Sequence, residues 1–261
     1  ESALHGGLVS ELYAPGDDHV IVPGERVFYT GRNARYLDTA RQEINTLPAE
    51  LRHFFLAPLL SEASVHANTS GVFKGFYKCR ETGIGRFGGS NGDALTRIKG
   101  YITLPFPVFS RFECDVCVFS GDSNKVALEA PELDIAYIDP PYNQHPYGSN
   151  YFMLNLLVDY IRPDCLSSVS GIPVDWNRSE YNRRRKAYNT LRDLIDVVKA
   201  KFLLVSFNSE GFISREEMRV LLEKAGKVTV LETRYNTFRG SRNLGNRDIH
   251  VKEFLYLVER R

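Results

Sequence analysis

The chain has 261 residues, 43% hydrophobic, 12% aromatic and 25% charged, proportions of a globular protein that exclude disorder, collagen and disulfide scaffolds. No apolar run nears the roughly 20 residues that cross a bilayer, the N-terminus (Glu1-Ser-Ala-Leu-His5) lacks the texture of a signal peptide, and four cysteines are too few to staple this length, so a soluble cytoplasmic protein without a membrane partner is expected. The net charge of +1 conceals an asymmetry, since from Asp175 onward 19 Lys and Arg face 12 Asp and Glu, against 14 facing 20 in the remainder. Such a basic third suits a polyanion, although on charge alone a solvated helix face is the simpler reading.

Residues 1–30 are rich in turn signals (Gly6-Gly7, Pro15-Gly16, Pro23-Gly24). Thr30 then leads into Tyr36, Leu37, Ala40 and Ile44 at helical spacing, ending near Leu47. Pro48 starts a second helix with Leu51, Phe54, Phe55, Leu59 and Leu60 on its buried side and Pro58 as a possible kink. The pattern allows helix through 61–80, up to the glycine-rich 83–92. Residues 112–120 alternate like a strand until Gly121-Asp122. Leu133–Ile138 is a short apolar strand followed at once by Asp139-Pro-Pro-Tyr-Asn143. Helices are expected at 151–162 and 180–200, the second basic at its start (Arg183-Arg-Arg-Lys186). Phe202–Phe207 reads as a strand buried on both faces, and residues 214–225 as a helix opened by a Ser214–Glu217 capping box. Strands follow at 227–232 and 251–258, joined by an Arg/Asn-rich connection. The alternation argues an α/β protein with a mostly parallel sheet.

Gly83-Ile-Gly85-Arg-Phe-Gly88 fits the G-x-G-x-x-G pattern, but a weak strand precedes it and no strong helix follows, so a flexible surface loop is expected and not a dinucleotide site. Cys114-Asp-Val-Cys117 has no second ligand pair at zinc spacing, and in a strand its sulfurs would point to opposite faces. Core cysteines and no metal are the reading. Asp139-Pro140-Pro141-Tyr142-Asn143 carries chemistry through its position, just past the carboxyl end of a buried strand, where open α/β sheets bind ligands. Two prolines rigidify the loop and remove two donors. An Asp carboxylate beside a proline carbonyl offers two acceptors suited to an exocyclic amine, and Tyr142 offers a flat face for a base.

This block resembles the (D/N/S)-P-P-(Y/F) motif of amino-group DNA methyltransferases. Asp139-Pro-Pro-Tyr-Asn-Gln-His-Pro-Tyr147-Gly-Ser-Asn150-Tyr151 looks like a Dam-like adenine-specific subgroup. Gly121-Asp122, Ser206-Phe-Asn208 and Tyr235-Asn-Thr-Phe-Arg239-Gly-Ser-Arg242-Asn243 resemble its other blocks, so the likeness covers 112–261 well and 25–80 more loosely. The family's F-x-G-x-G cofactor motif does not occur in this sequence. The chain is therefore expected to comprise the insertion and second half of a methylase, lacking roughly its first quarter, with 1–111 a mostly helical target-recognition insertion and 112–261 the catalytic half.

The resemblance implies a Rossmann-like S-adenosylmethionine-dependent methyltransferase fold acting on the N6 amine of adenine in double-stranded DNA after base flipping, in a nucleoid-associated restriction-modification setting with a cognate restriction endonuclease as possible partner. It implies the last two strands as an antiparallel pair at the sheet edge. Asp139 and the Pro140 carbonyl would hold the amine, and Tyr142 would stack on the base. Asp122, Asp139, Asn143 and Ser206 would line the S-adenosylmethionine pocket. Tyr147, Asn150, Arg239, Arg242, Asn243 and Arg247 would contact DNA. A cytosine N4 methyltransferase and a non-catalytic DNA-binding or specificity subunit are the alternatives.

Overall fold

The computed structural model describes residues 3–89, 92–236 and 250–260. In chain order the elements are α1 (Leu8–Tyr13), α2 (Gly31–Thr46), α3 (Ala49–Val65), α4 (Leu95–Lys99), α5 (Ser123–Glu129), β1 (Leu133–Ile138), α6 (Tyr147–Asn150) and α7 (Phe152–Asp159). A 3₁₀ turn (Glu180–Asn182), α8 (Arg184–Val197), β2 (Ala200–Asn208), α9 (Arg215–Glu223), β3 (Gly226–Asn236) and β4 (His250–Arg260) complete the described chain. They form two compact units, one of residues 1–112 and 147–177, the other of 113–146 and 178–261. No helix of the described residues is long and apolar enough to cross a membrane.

The first unit is helical. Thr30 caps α2 by accepting the Asn33 N–H at 3.2 Å, as Thr at an N-cap does. Its core gathers Tyr13, Phe28, Phe73 and Phe76 around Phe152 and Leu157 from the returning segment. Phe152 lies 5.5 Å from the Tyr13 ring and 5.8 Å from the Phe28 ring. A buried polar network orients α1. The fully buried Asp38 of α2 accepts from the Val9 and Ser10 N–H groups at 2.9 and 2.8 Å and from the Tyr160 hydroxyl at 2.8 Å. A carboxylate there answers both the orphan donors and the dipole of a helix start. Arg41, one turn on, donates to the Val158 carbonyl at 2.8 Å, near the end of α7.

Several expectations need correction in this unit. On α3, Leu59 and Ala63 are buried but Leu51 is exposed, so the buried stripe is narrower than the apolar spacing suggests. The helix also stops at Val65 instead of running toward 80. Buried Asn68 takes over, its amide donating to the Val27 and Arg86 carbonyls at 2.7 and 2.9 Å, long-range bonds that take the place of helical ones. The glycine-rich segment is not an open loop. Lys78 bridges Gly85, and a Cβ on Gly85 would stand 2.4 Å from Val27.

The second unit holds a four-stranded sheet of order β1-β2-β4-β3. β1 pairs parallel with β2, and β4 runs antiparallel to both β2 and β3. β1, β2 and β3 therefore point one way, with β4 against them and β3 at the edge. One face is packed: Leu203, Val205 and Phe207 of β2 and Phe254, Tyr256 and Val258 of β4 join Leu191 and Ile195 of α8 and Met218 and Leu222 of α9 in one core. The other face is more open, with Ile135, Tyr137, Phe202 and Leu231 exposed. The strand expected at 112–120 does not form. Those residues form no regular element and are exposed, and Cys114 and Cys117 are exposed rather than core. Alternation stabilises a strand only where a ladder neighbour and a buried face exist, and among the described residues β1 is hydrogen-bonded to β2 alone.

The capping box of α9 is as expected, with Ser214 Oγ accepting the Glu217 N–H at 3.2 Å and Glu217 accepting the Ser214 N–H at 2.8 Å. Ser214→Ala is expected to cost about 1 kcal/mol, read from denaturant midpoints at unchanged slope. A cost near zero would show that the box is not formed in solution.

Candidate active site

The site is built where β1 ends. Ile138 is buried in the sheet, and the chain leaves through Asp139, buried Pro140, and half-buried Pro141, Tyr142 and Asn143. Two long-range hydrogen bonds hold the loop by its carbonyls. The Phe212 N–H donates to the Tyr142 carbonyl at 2.7 Å, and the Asn182 side-chain amide donates to the Asn143 carbonyl at 2.7 Å. The Tyr142 ring meets Phe207 of β2 edge-on, centroids 5.9 Å apart at 72°, a favoured aromatic geometry. Gly211 makes room for that ring, because a Cβ there would stand 2.1 Å from Phe207. Asp139 is exposed, and partial loss of water raises its carboxyl above the ordinary aspartate value. Asn143 folds its own side chain into the loop, Oδ1 accepting the His145 N–H at 2.9 Å.

The other residues singled out in the sequence fall in different places. Ser206, half-buried on β2, pairs with Leu255. Asp122 is exposed and caps α5, one oxygen accepting from Asn124 and Lys125 at 3.1 and 3.2 Å. Tyr147 belongs to the first unit, exposed beside Tyr151 with ring centroids 6.0 Å apart. Asn150, in the same unit, is buried, with its carbonyl accepting the Phe73 N–H at 2.7 Å. Arg239, Arg242, Asn243 and Arg247 lie outside the described residues.

Sequence reasoning missed Asn182, Phe212 and Asn208. The first two act on the loop from 39 and 70 residues downstream, and no local pattern announces such bonds. Asn208 is buried at the end of β2, its Oδ1 accepting the Glu210 N–H at 3.0 Å and its side chain bonded to Glu253, its ladder partner on β4. Asn182→Ala is expected to leave the Asn143 carbonyl short of its donor and displace the loop, at about 1–3 kcal/mol. Amide shifts of residues 139–145 are the readout, and an unperturbed loop would show that the bond does not position it.

The family model for D12 class N6 adenine-specific DNA methyltransferases matches residues 109–221. Type II methyltransferase M.CviAII of Paramecium bursaria Chlorella virus 1 is 27% identical over 256 residues, covering 97% of this chain and 70% of that protein. Type II methyltransferase M.NlaIII of Neisseria lactamica is 26% identical over 264 residues, covering 97% and 72%. Modification methylase StsI of Streptococcus sanguinis is 26% identical over 249 residues, covering 91% of this chain and 35% of its own length. No solved structure matches. The Asp-Pro-Pro-Tyr loop lies inside the matched segment and is held at the carboxyl edge of the sheet, so the likeness of residues 109–221 to the D12 class of N6 adenine-specific DNA methyltransferases includes the candidate site.

Proposed function

We propose that this chain methylates the N6 amine of adenine at specific sites in double-stranded DNA, as the modification component of a restriction-modification system that includes a cognate endonuclease. The observation that supports it best is the pinned Asp139–Asn143 loop at the end of β1, because transfer to an amine needs acceptors fixed in place and not a nucleophile or a metal. The target base must leave the stack, at a cost of a few kcal/mol. Asp139 and the Pro140 carbonyl accept from its amine, and both bonds aim the nitrogen lone pair outward. Tyr142, its ring steadied by Phe207, is the stacking face.

The methyl donor of this reading is S-adenosylmethionine, which supplies an electrophilic methyl on a cationic sulfur. The acceptor-rich character of the site fits a cation, since the exposed Asp139 carboxylate is followed by two prolines that carry no N–H donor. Asp139, Asn143 and Ser206 would hold the donor, with Asp122 contributing the part of its carboxylate that α5 leaves. The sheet would then belong to a Rossmann-like methyltransferase fold, residues 112–261 forming its catalytic half and 1–111 recognising the target. Tyr147, Asn150, Arg239, Arg242, Asn243 and Arg247 are the proposed DNA contacts, the arginines through phosphate charge, which makes affinity fall with salt. The test is methyl transfer from labelled S-adenosylmethionine to unmethylated duplex DNA, followed by nucleoside digestion. N6-methyladenine supports the reading. N4-methylcytosine moves the substrate to cytosine, and no methylated base leaves either a fragment awaiting its N-terminal part, which adding that part would rescue, or a DNA-binding subunit.

A further inference from the structure

The start of α8 carries four consecutive cations to which the proposed function gives no role. Arg183, Arg184, Arg185 and Lys186 are all exposed. Two of them are balanced by Glu180 in the turn just ahead, which pairs with Arg183 at 3.0 Å and with Lys186. Arg184 and Arg185 form no ion pair among the described residues. Glu217 feels the charge of Arg184, but its carboxylate is engaged by the Ser214 N–H at 2.8 Å and hydroxyl at 2.7 Å. The first turn of α8 holds no acid, whereas that of α9 holds Glu216 and Glu217. Cations at a helix start oppose the backbone dipole, so the run costs the helix stability. Such local conflicts gather where a sequence serves function. The same stretch holds the candidate site. Asn182, two residues ahead of Arg184, donates to the Asn143 carbonyl at 2.7 Å. The Arg184 guanidinium lies 5.6 Å over the Phe212 ring, and the Phe212 N–H donates to the Tyr142 carbonyl at 2.7 Å. Both bonds that pin the loop therefore come from residues that adjoin or touch the arginine run, all within the second unit.

We propose that Arg184 and Arg185 grip the phosphate backbone of DNA where the duplex meets the Asp139–Asn143 loop, each neutralising one phosphate. This rests on the proposed methyl transfer, since the loop meets DNA only if it receives an adenine from the duplex. A base lifted from the stack brings its flanking phosphates toward the loop that takes it. The planar fork of an arginine matches phosphate oxygens, and the Phe212 ring restricts where the Arg184 fork can go. Contacts of this kind set the position of the duplex and carry no sequence information. Arg183 and Lys186, balanced by Glu180, contribute less.

The test is the salt dependence of binding to a short mixed-sequence DNA duplex, followed by fluorescence anisotropy on the full chain. Release of counterions makes log affinity fall linearly with log salt, with about one unit of slope per phosphate neutralised. In the double variant Arg184→Gln/Arg185→Gln the slope should be shallower by about two units. Arg184→Lys/Arg185→Lys keeps both charges and should keep the wild-type slope. Arg219→Gln should keep it too, since that arginine is paired with Glu216 and Glu223 on α9. A wild-type slope in the Gln variant overturns the proposal. A Gln-like slope in the Lys variant also overturns it, because the change would then come from structure and not from charge. In the transfer assay the loss in the Gln variant should fall on KM for DNA and not on kcat, and an unchanged KM overturns the link to the reaction. The binding measurement needs no methyl donor. A chain that bound with these slopes and methylated nothing would sink the proposed function alone.

Discussion

Asp139→Ala is expected to lower the rate of methyl transfer by about 10²–10³-fold, the usual cost of deleting a preorganised hydrogen-bonding group that acts on developing charge. Asp139 follows β1 and is exposed. The variant should therefore unfold at the wild-type temperature and bind duplex DNA with nearly unchanged affinity, so that at saturating donor the loss lies in the chemical step. Single-turnover transfer of a labelled methyl group separates that step from binding. Below the midpoint of the Asp139 carboxyl the wild type should approach the variant, because a protonated acid offers a poorer acceptor, and the raised carboxyl sets this loss at higher pH than an ordinary aspartate would. A variant that transfers methyl at close to the wild-type rate would remove Asp139 from the mechanism.

The second large effect lies far from the chemistry in sequence and in kind. Asp38→Ala is expected to destabilise the first unit by about 3–5 kcal/mol, since two helix N–H groups and a phenol lose their acceptor inside the protein and each orphaned donor costs about 1–3 kcal/mol. For a protein of this size that corresponds to a fall in Tm of roughly 10 °C. Asp38→Asn keeps one acceptor oxygen and should lose about half as much. Differential scanning calorimetry reads both, and a fall of only a degree or two in the alanine variant would mean that water replaces the carboxylate at the start of α1.

What the sequence discloses follows from how local each signal is. The strands at 133–138, 202–207, 227–232 and 251–258 are short segments rich in apolar residues, and all four occur. Ser214 and Glu217 signal a helix start within four residues, and the cap forms. The Asp139–Asn143 loop is legible because its chemistry is written contiguously. The failures are non-local. Residues 112–120 alternate correctly and form no strand, since pairing is a property of the neighbour as much as of the segment. The helix past Val65 is lost to Asn68, whose buried amide serves carbonyls 41 and 18 residues away. Asn182 reaches the loop from the turn before α8 and Phe212 from the path of the chain after β2, and only the register of β2 with β4 sets Glu253 opposite Asn208. An asparagine or a glutamate on a strand carries no local mark of what it will face.

The first unit is assembled from two stretches of chain, and this bears on how the protein is made. Its core stays open until Phe152, Met153 and Leu157 arrive to pack among Tyr13, Phe28 and Phe73. At synthesis rates of ~5–20 residues per second, the 45 residues between Phe112 and Leu157 take roughly 2–9 s. During that interval the nascent helices present unsealed aromatic surface to solvent. A chaperone that holds nascent chains would find its footing there, and slowing translation across 113–157 would lengthen that exposure without altering a single native contact.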